Sequence, residues 1–237
     1  MNGRILPEKF HILSGSALKV IAVVCMLIDH TGKLLYHDPI ALFTVFGHTV
    51  TLYAVMRLIG RIAFPIFAFL ITEGYLHTRN RVRYGAILLL FAVLSEIPWD
   101  LNRTGELWNF TKQNVFFTLF LGYLGICTYE GLRGKWVLRA GAMVALLALS
   151  YVLHADYSIT GFCFILLMYA LRDHELLRDA IGVGALSSQW KAALTFLPLA
   201  LYNGKRGFIR GPVLKYAFYL IYPLHLLALY FIRLKLG

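Results

Sequence analysis

Acidic residues are scarce in this sequence, with 12 Asp and Glu against 23 Lys and Arg. Charged residues make up only 15% of the 237 positions, and 59% are hydrophobic, which excludes an ordinary soluble domain. The net charge of +11 does not require nucleic acid, because Lys and Arg crowd the cytoplasmic loops of multispanning proteins. We therefore expect a polytopic membrane protein that contacts membrane lipid and no nucleic acid.

Cysteine is also rare, and the three that occur, Cys25, Cys127 and Cys163, lie in apolar runs without metal-ligand spacing. They are predicted to be small buried hydrophobes, and no metal site is expected. The alternating ten-residue pattern of an outer-membrane barrel is missing as well, so the apolar runs predict helices. No cleavage signature precedes the first run, which is expected to stay in the mature protein.

The apolar runs predict an all-α integral membrane bundle. Spans are predicted at 17–36, 57–77, 84–100, 114–129, 137–153, 158–171 and 215–234. Two short helices, 176–187 and 190–202, are expected to dip into the membrane and return, and 38–56 is expected to be a loop or re-entrant segment. The prediction is about eight to nine transmembrane or half-membrane helices in one domain, 1–237, after a cytoplasmic segment, 1–16.

Basic residues set the expected orientation. They precede the first span and recur at 79–83, 133–139, 172–178 and 203–215. Since Lys and Arg concentrate in cytoplasmic loops, the N-terminus and these four stretches are predicted to be cytoplasmic.

An aspartate-histidine pair lies deep in the first span. Asp29 and His30 follow nine consecutive apolar residues, 20–28, and ionisable groups at such depth are costly unless they have a function. The pair is therefore the first functional candidate. The alternative is a polar cluster at a helix end, satisfied by water at the far interface.

Helix geometry relates this pair to Lys19. Lys19 and His30 are eleven residues apart, which corresponds to three turns plus roughly 20° and a rise of about 16.5 Å, so they share one face. A cation at the surface above a buried imidazole suits a ligand with an anionic head and a reactive tip. Asp29 is rotated by about 100° from His30, so we expect it to pair elsewhere, for example with Lys33.

The second span carries two arginines one turn apart, Arg57 and Arg61. They are predicted to be interfacial anchors, although Pro65 frees the carbonyl of Arg61 and makes that position a functional candidate. Glu73 and His77 are also one turn apart, just before the basic loop.

Later spans add further candidates. Glu96 and Asp100 lie one turn apart at a helix exit, either as an acid-base pair or as interfacial caps beside Trp99. His225 lies near the centre of the last span, beside Pro223, and is equally interpretable as a helix-helix hydrogen-bond residue or a catalytic one.

These motifs together resemble the TraX family of pilin-acetylase-like membrane proteins. The matching positions are Lys19, Asp29, His30, Gly60, Arg61, Ala63, Phe64, Pro65, Phe67, Ala68, Asn114, Phe117, Tyr157, Gly161, Tyr222 and His225. The stretches SEIPWD and YNGKRG are similar to those of many TraX-like proteins. More distantly, a basic residue eleven positions before a histidine resembles the acyltransferase family three membrane enzymes, which carry Arg where this chain has Lys19.

The resemblance implies a bacterial inner-membrane acyltransferase that moves an acetyl or longer acyl group from cytoplasmic acyl-CoA. His30 is expected to act as general base or acyl carrier. The CoA phosphates are assigned to Lys19, Arg61, Lys205 and Arg206. Asn114 and Tyr222 are expected at the oxyanion, and Asp29 and His225 complete the predicted catalytic set. The remaining candidates are assigned to the substrate, namely Glu73, Glu96, Asp100 and Tyr157.

The acceptor is left open between a peptide amine, a lipid, a sugar hydroxyl and a small amine. Two other functions compete with this interpretation. One is a proton-coupled secondary transporter using the intramembrane carboxylates, although the sequence lacks the internal repeat of many transporters. The other is a non-enzymatic assembly factor for a conjugative or surface appendage.

Overall fold

The computed structural model describes residues 7–36, 40–185 and 194–236, and these residues are mostly helical. The α-helices are α1 (Gly15–Leu35), α2 (Leu52–Gly60), α3 (Ala63–His77), α4 (Arg81–Arg103), α5 (Val115–Gly131), α6 (Trp136–Val152), α7 (Ser158–Ala170), α8 (Glu175–Ala185), α9 (Phe196–Ala200) and α10 (Gly211–Leu236). A short 3-10 helix, Glu8–Phe10, precedes them. The predicted helical fold class is confirmed.

Three of the described helical stretches are long and apolar enough to cross a membrane by length and composition. They are Leu52–His77, Arg81–Arg103 and Gly211–Leu236, of 26, 23 and 26 residues. At about 1.5 Å per residue, each exceeds the roughly 30 Å of a bilayer's hydrocarbon core. Shorter apolar helices are Val115–Gly131, Trp136–Val152 and Ser158–Ala170. The helices are those of an integral membrane protein.

The segment predicted as a loop or re-entrant stretch, 38–56, contains a β-hairpin instead. Strands β1 (Ala41–Val45) and β2 (His48–Thr51) pair antiparallel, and α2 follows directly. The two turn residues, Phe46 and Gly47, have φ of 48° and 79°, which is the left-handed geometry that matches the twist of a two-residue hairpin. Aromatic and β-branched residues on both strands favour this outcome over a loop.

The helix predicted at 190–202 ends at Ala200 in the structure. The described part is α9, Phe196–Ala200, and the predicted start of the helix lies outside the described residues, as do Ser187, Ser188 and Gln189. The partner helix, predicted at 176–187, is α8.

The chain divides into two compact units. The first contains Met1–Phe67 and Asp179–Gly237, and the second contains Ala68–Arg178. The prediction of one functional domain over 1–237 stays a prediction.

In the first unit, α1 packs against α2 and α10. Its buried stripe contains Leu18, Ala22, Cys25 and Met26, spaced by three or four residues as one helix face requires. Ser14 caps its N-terminus by accepting a hydrogen bond from the Ala17 amide at 3.2 Å.

Two glycines let α1 and α2 approach closely. A Cβ added at Gly32 would lie 2.8 Å from the Cβ of Met56, and one added at Gly60 would collide with the side chain of Asp29. Small residues at helix crossings allow such contact in membranes, where burial alone does not drive helices together. Gly60 thus fixes where Asp29 lies against α2.

Gly60→Ala is expected to destabilise the protein by about 1–3 kcal/mol, because the added methyl overpacks this crossing. Thermal unfolding in detergent measures the effect. Gly141→Ala in α6 is the matched control, since its Cβ would meet no described atom within 4 Å, and it should leave the melting temperature unchanged or slightly higher. Equal melting temperatures for the two variants would contradict the close crossing.

A break separates α2 from α3 at Arg61 and Ile62. Pro65 occupies the third position of α3, where a missing amide hydrogen is tolerated because first-turn amides have no partner within the helix. The Ile62 carbonyl accepts a hydrogen bond from Thr195 Oγ1 at 3.4 Å. Pro65 therefore lies in the first turn of α3, just after a helix break at which the Ile62 carbonyl is hydrogen-bonded.

In the second unit, α5 packs against α4, α6 and α7. Gly122 and Gly125 of α5 lie directly against Ile165 and Phe162 of α7. These glycines again allow close helix packing.

Candidate functional site

The first unit joins two predicted site residues that are 195 positions apart in sequence. His30 Nδ1 lies 2.6 Å from His225 Nε2, which links α1 to α10. The two ring planes are parallel to within 6°, with centroids 4.9 Å apart. His225, which the sequence left undecided, is the hydrogen-bond partner of His30.

The hydrogen bonds define the protonation of this histidine pair. His225 Nδ1 lies 2.8 Å from the Ile221 carbonyl, and a carbonyl only accepts, so His225 Nδ1 carries the hydrogen. When both rings are neutral, His225 Nε2 is then an acceptor, and His30 Nδ1 donates to it. The lone pair of His30 is therefore on Nε2.

Tyr222 completes the aromatic surroundings of this histidine pair. Its ring meets His30 edge-on at a centroid distance of 5.9 Å and His225 at 5.5 Å. Tyr222 is 4% exposed, so its ring restricts the rotation of both imidazoles.

Asp29 forms an ion pair with Arg57 of α2. The side chains are 17% and 22% exposed, so both charges are largely removed from solvent. The sequence suggested Lys33 as the partner of Asp29 and an interfacial role for Arg57. The structure shows Arg57 as a partner of Asp29, because α2 crosses α1 at Gly60, one turn from Arg57. The contact with Lys33 stays a prediction.

A basic cluster surrounds Lys19 near the start of α1. The charges of Arg206 and Lys215 both act on its ammonium group. Like charges repel, so such a cluster is favourable only when an anion joins it. Lys215 was not predicted as a site residue, although its position at the end of the predicted cytoplasmic loop 203–215 was a usable signal.

The YNGKRG stretch holds this cluster by its backbone. The Gly15 and Ser16 amides donate to the carbonyls of Lys205 and Arg206 at 2.8 and 2.9 Å. Ser16 Oγ also donates to the Arg206 carbonyl at 2.8 Å and accepts from the Ile209 amide at 2.8 Å. The loop therefore covers the N-terminus of α1, and the exposed side chains of Lys205 and Arg206 are held near it.

Gly207 makes that loop conformation possible. Its φ is +86°, and a Cβ there would collide with Ser14 and Ser16. Arg61, the other predicted phosphate ligand, is the C-cap residue of α2 and is half-buried.

Asn114 and Glu96 are joined in the second unit. Asn114 caps α5, and its side-chain amide donates to the Ala92 carbonyl at 2.8 Å and to the Glu96 carboxylate. The Asn114 backbone amide also donates to Glu96 at 2.9 Å. Both side-chain N–H donors are occupied, so the oxyanion role predicted for Asn114 finds no spare donor in this structure.

The other substrate candidates contact neighbouring backbone. Asp100 accepts from the Asn109 amide at 2.7 Å and so holds the loop that leaves α4. The Tyr157 amide donates to Thr118 Oγ1 at 3.3 Å. The carbonyl of Glu73 lies 2.9 Å from His77 Nδ1. A substrate role for these residues stays a prediction.

The described residues contain no group of three or more His, Cys, Asp or Glu side chains arranged to hold a metal ion. The candidate site is therefore built from a histidine pair, a tyrosine, an ion pair and a basic cluster within the first unit.

Apolar helices of spanning length and a polar histidine site define an integral membrane protein with a candidate reactive centre among its helices. A family model described as TraX protein matches residues 14–233, and the chain belongs to the TraX family. The probable fimbrial assembly protein FimC, serogroup H1, of Dichelobacter nodosus is 29% identical over 242 residues, covering 90% of this chain and 93% of that protein. No solved structure matches the chain. The resemblance to the TraX family is confirmed.

Proposed function

We propose that this protein is an integral membrane acyltransferase that moves an acetyl or longer acyl group from acyl-CoA to an amine or hydroxyl acceptor. The observation that carries the proposal is the oriented histidine pair. His30 has a donor nitrogen fixed by His225 and a second nitrogen carrying the lone pair, as a general base requires.

In the proposed reaction, His30 Nε2 takes the proton from the acceptor as its nitrogen or oxygen attacks the thioester carbonyl. The carbon-sulfur bond then breaks, and the CoA thiolate recovers the proton from His30. Alternatively, Nε2 attacks the thioester carbonyl, the carbon-sulfur bond breaks and CoA leaves as the thiolate. The acceptor then attacks the acyl carbon, the bond to Nε2 breaks, and the acceptor's proton passes to the CoA thiolate. In either case His225 stabilises the charged His30 ring through the hydrogen bond at Nδ1.

The basic cluster supports the donor side of this proposal. Lys19, Arg206 and Lys215 offer several cations to the phosphates of CoA, and Lys205 and Arg61 are further candidates. Lys19 and His30 both belong to α1, with a rise of about 16.5 Å between them. That separation suits the extended pantetheine arm between a nucleotide and a thioester.

The proposed use of cytoplasmic acyl-CoA also implies an orientation of the protein in the membrane. With the basic cluster on the cytoplasmic side of a bacterial inner membrane, acyl-CoA would enter where it is made. A cysteine at exposed Arg210, labelled in intact cells only after permeabilisation, would support this orientation. Labelling by an impermeant reagent in intact cells would contradict it.

Binding and cleavage of acetyl-CoA and longer acyl-CoAs by detergent-purified protein test the proposed activity. We expect saturable binding and slow hydrolysis of the thioester, with water replacing the acceptor. Absence of both for every acyl-CoA would overturn the proposal.

Lys19→Ala is expected to weaken acyl-CoA binding by more than about tenfold, because a charge-assisted contact to phosphate contributes about 1.5–3 kcal/mol. Isothermal titration measures the change. Lys9→Ala is the control, since Lys9 is basic, close in sequence and exposed, with its ammonium 5.1 Å from the Phe10 ring. The cluster has no phosphate role if both variants bind acyl-CoA as the wild type does.

The name of the Dichelobacter nodosus relative, a probable fimbrial assembly protein, favours a second candidate, a factor for appendage assembly without chemistry of its own. This function predicts that His30 and Lys19 can be replaced without loss of phenotype in protein that still inserts and folds. Loss of phenotype in His30→Ala at normal protein levels would exclude it.

A further inference from the structure

A row of three tyrosines in the second unit carries arginines on its rings. Tyr75 and Tyr169 have centroids 5.4 Å apart, and Tyr169 and Tyr129 have centroids 6.4 Å apart. Each ring holds one guanidinium group near its face. The carbon-to-centroid distances are 4.3 Å for Arg81 over Tyr75, 4.3 Å for Arg172 over Tyr169 and 4.8 Å for Arg139 over Tyr129.

These residues come from helix ends that meet on one side of the unit. Tyr75 is near the end of α3, Tyr129 is near the end of α5 and Tyr169 is near the end of α7. Arg81 opens α4, and Arg139 lies in the first turns of α6. We name the three tyrosines with Arg81, Arg139 and Arg172 the tyrosine–arginine row.

Arg81 and Arg139 retain N–H donors for a ligand, and Arg172 differs from them. Arg172 donates to the Tyr169 carbonyl at 2.8 Å and lies 3.7 Å from Asp173. By contrast, the side chains of Arg81 and Arg139 show no hydrogen bond or ion pair to any residue within the described ranges. Their guanidinium groups are held by aromatic rings, which leave the N–H groups at the ring-plane edges open to an anion.

The nearby carboxylate does not neutralise these two charges. Glu130 accepts from the Tyr169 hydroxyl at 2.8 Å and pairs with Arg133 at 3.2 Å. Arg81 and Arg139 also lie at helix N-termini, where the helix dipole disfavours cations and favours anions. A cation at such a position is disfavoured, and a bound anion would compensate it.

We propose that the tyrosine–arginine row binds a phosphate ester, through Arg81 and Arg139 held on Tyr75 and Tyr129. Planar guanidinium groups match phosphate oxygens, and stacking on tyrosine fixes their direction before the ligand arrives. Two sources present this chemistry, an anionic phospholipid headgroup and the phosphates of a free nucleotide such as CoA. This proposal rests on the contacts within the row and does not depend on the proposed acyl transfer.

The test measures ligand-induced thermal stabilisation of the whole protein in a neutral detergent. Phosphatidylglycerol is the lipid probe, with phosphatidylcholine as its uncharged comparison. CoA is the nucleotide probe, with pantetheine as the comparison that lacks phosphate, and it is also tested in Lys19→Ala to remove the contribution of the basic cluster.

The key variant is Arg81→Gln combined with Arg139→Gln. It should raise the concentration of the effective probe at half-maximal stabilisation by more than about tenfold, since two charge-assisted contacts are lost. Arg79→Gln is the matched control, because it removes an equal charge from an exposed position two residues from Arg81. It should behave as the wild type does.

The aromatic support is tested at Tyr129, which is 37% exposed and tolerates change better than a buried ring. Tyr129→Phe keeps the stacking surface and should bind normally, whereas Tyr129→Leu should weaken binding. If the double arginine variant does not fold, Arg139→Gln alone together with this pair gives the answer.

Stabilisation by phosphatidylglycerol alone would assign the site to lipid, and stabilisation by CoA in the Lys19→Ala background would assign it to the nucleotide. Equal weakening in Arg79→Gln and in the row variants would overturn the proposal, because it would indicate a diffuse charge effect. Failure of both probes to stabilise the wild type would overturn it as well.

Discussion

His30→Ala should lower acyl-CoA cleavage and acyl transfer by about 100-fold or more, because general bases typically contribute about 10²- to 10⁴-fold. Binding of acyl-CoA should change little, since the phosphates are assigned to the basic cluster and not to His30. The measurement is single-turnover cleavage of acetyl-CoA at saturating protein, with binding followed separately by titration.

Variants of His225 test the orientation of His30. His225→Gln retains an oxygen acceptor near the original Nε2 position and should preserve a substantial part of the activity. His225→Leu removes the acceptor for the His30 Nδ1 hydrogen and should lose most of it. His174→Ala, at an exposed histidine, is the control and should match the wild type. Near wild-type rates in His30→Ala would refute the assignment of His30.

Breaking the Asp29–Arg57 ion pair should give the largest loss of stability among charge variants. Asp29→Ala leaves a mostly buried guanidinium without its carboxylate, which is expected to cost about 3 kcal/mol of unfolding free energy. Arg57→Ala removes the guanidinium group that pairs with Asp29 and should also destabilise the protein. The measurement is denaturant unfolding in mild detergent, compared between variants at one pH.

The double variant Asp29→Ala with Arg57→Ala should be destabilised by less than the sum of the single variants, because the two side chains contact each other directly. The control is the more exposed pair of Lys112 and Asp156, with side chains 41% and 25% exposed. Asp156→Ala is expected to cost no more than about 1 kcal/mol. Strict additivity of the two single effects would show that Asp29 and Arg57 are not coupled.

Most of the helices were predictable from local properties of the chain. The predicted spans 84–100, 114–129, 137–153 and 158–171 correspond to α4–α7, since long apolar runs bounded by polar caps favour helices in a membrane. The observed helix boundaries differ from the predicted ones where capping residues extend a helix. Asn80, for example, caps α4 by accepting from the Arg83 amide at 2.8 Å, so the helix starts before the apolar run.

The hairpin at Ala41–Thr51 escaped prediction because its short strands are semi-polar and its pairing depends on the turn at Phe46 and Gly47. Hydropathy averaged over a window long enough for a membrane span does not detect two strands of four or five residues. The pairing of Arg57 with Asp29 was not predicted for a related reason, since it depends on the crossing of α1 and α2.

The sequence by itself determined the class of protein, its helices, and the unusual placement of Asp29 and His30 in an apolar run. Only the tertiary structure decided that His30 meets His225, that Asp29 meets Arg57 and that Arg206 lies near Lys19. In a membrane, an apolar helix face can contact lipid or another helix, so the sequence does not specify which helix covers it. Partners 28 to 195 positions apart are therefore selected by close packing at residues such as Gly60, and that information appears only in the fold.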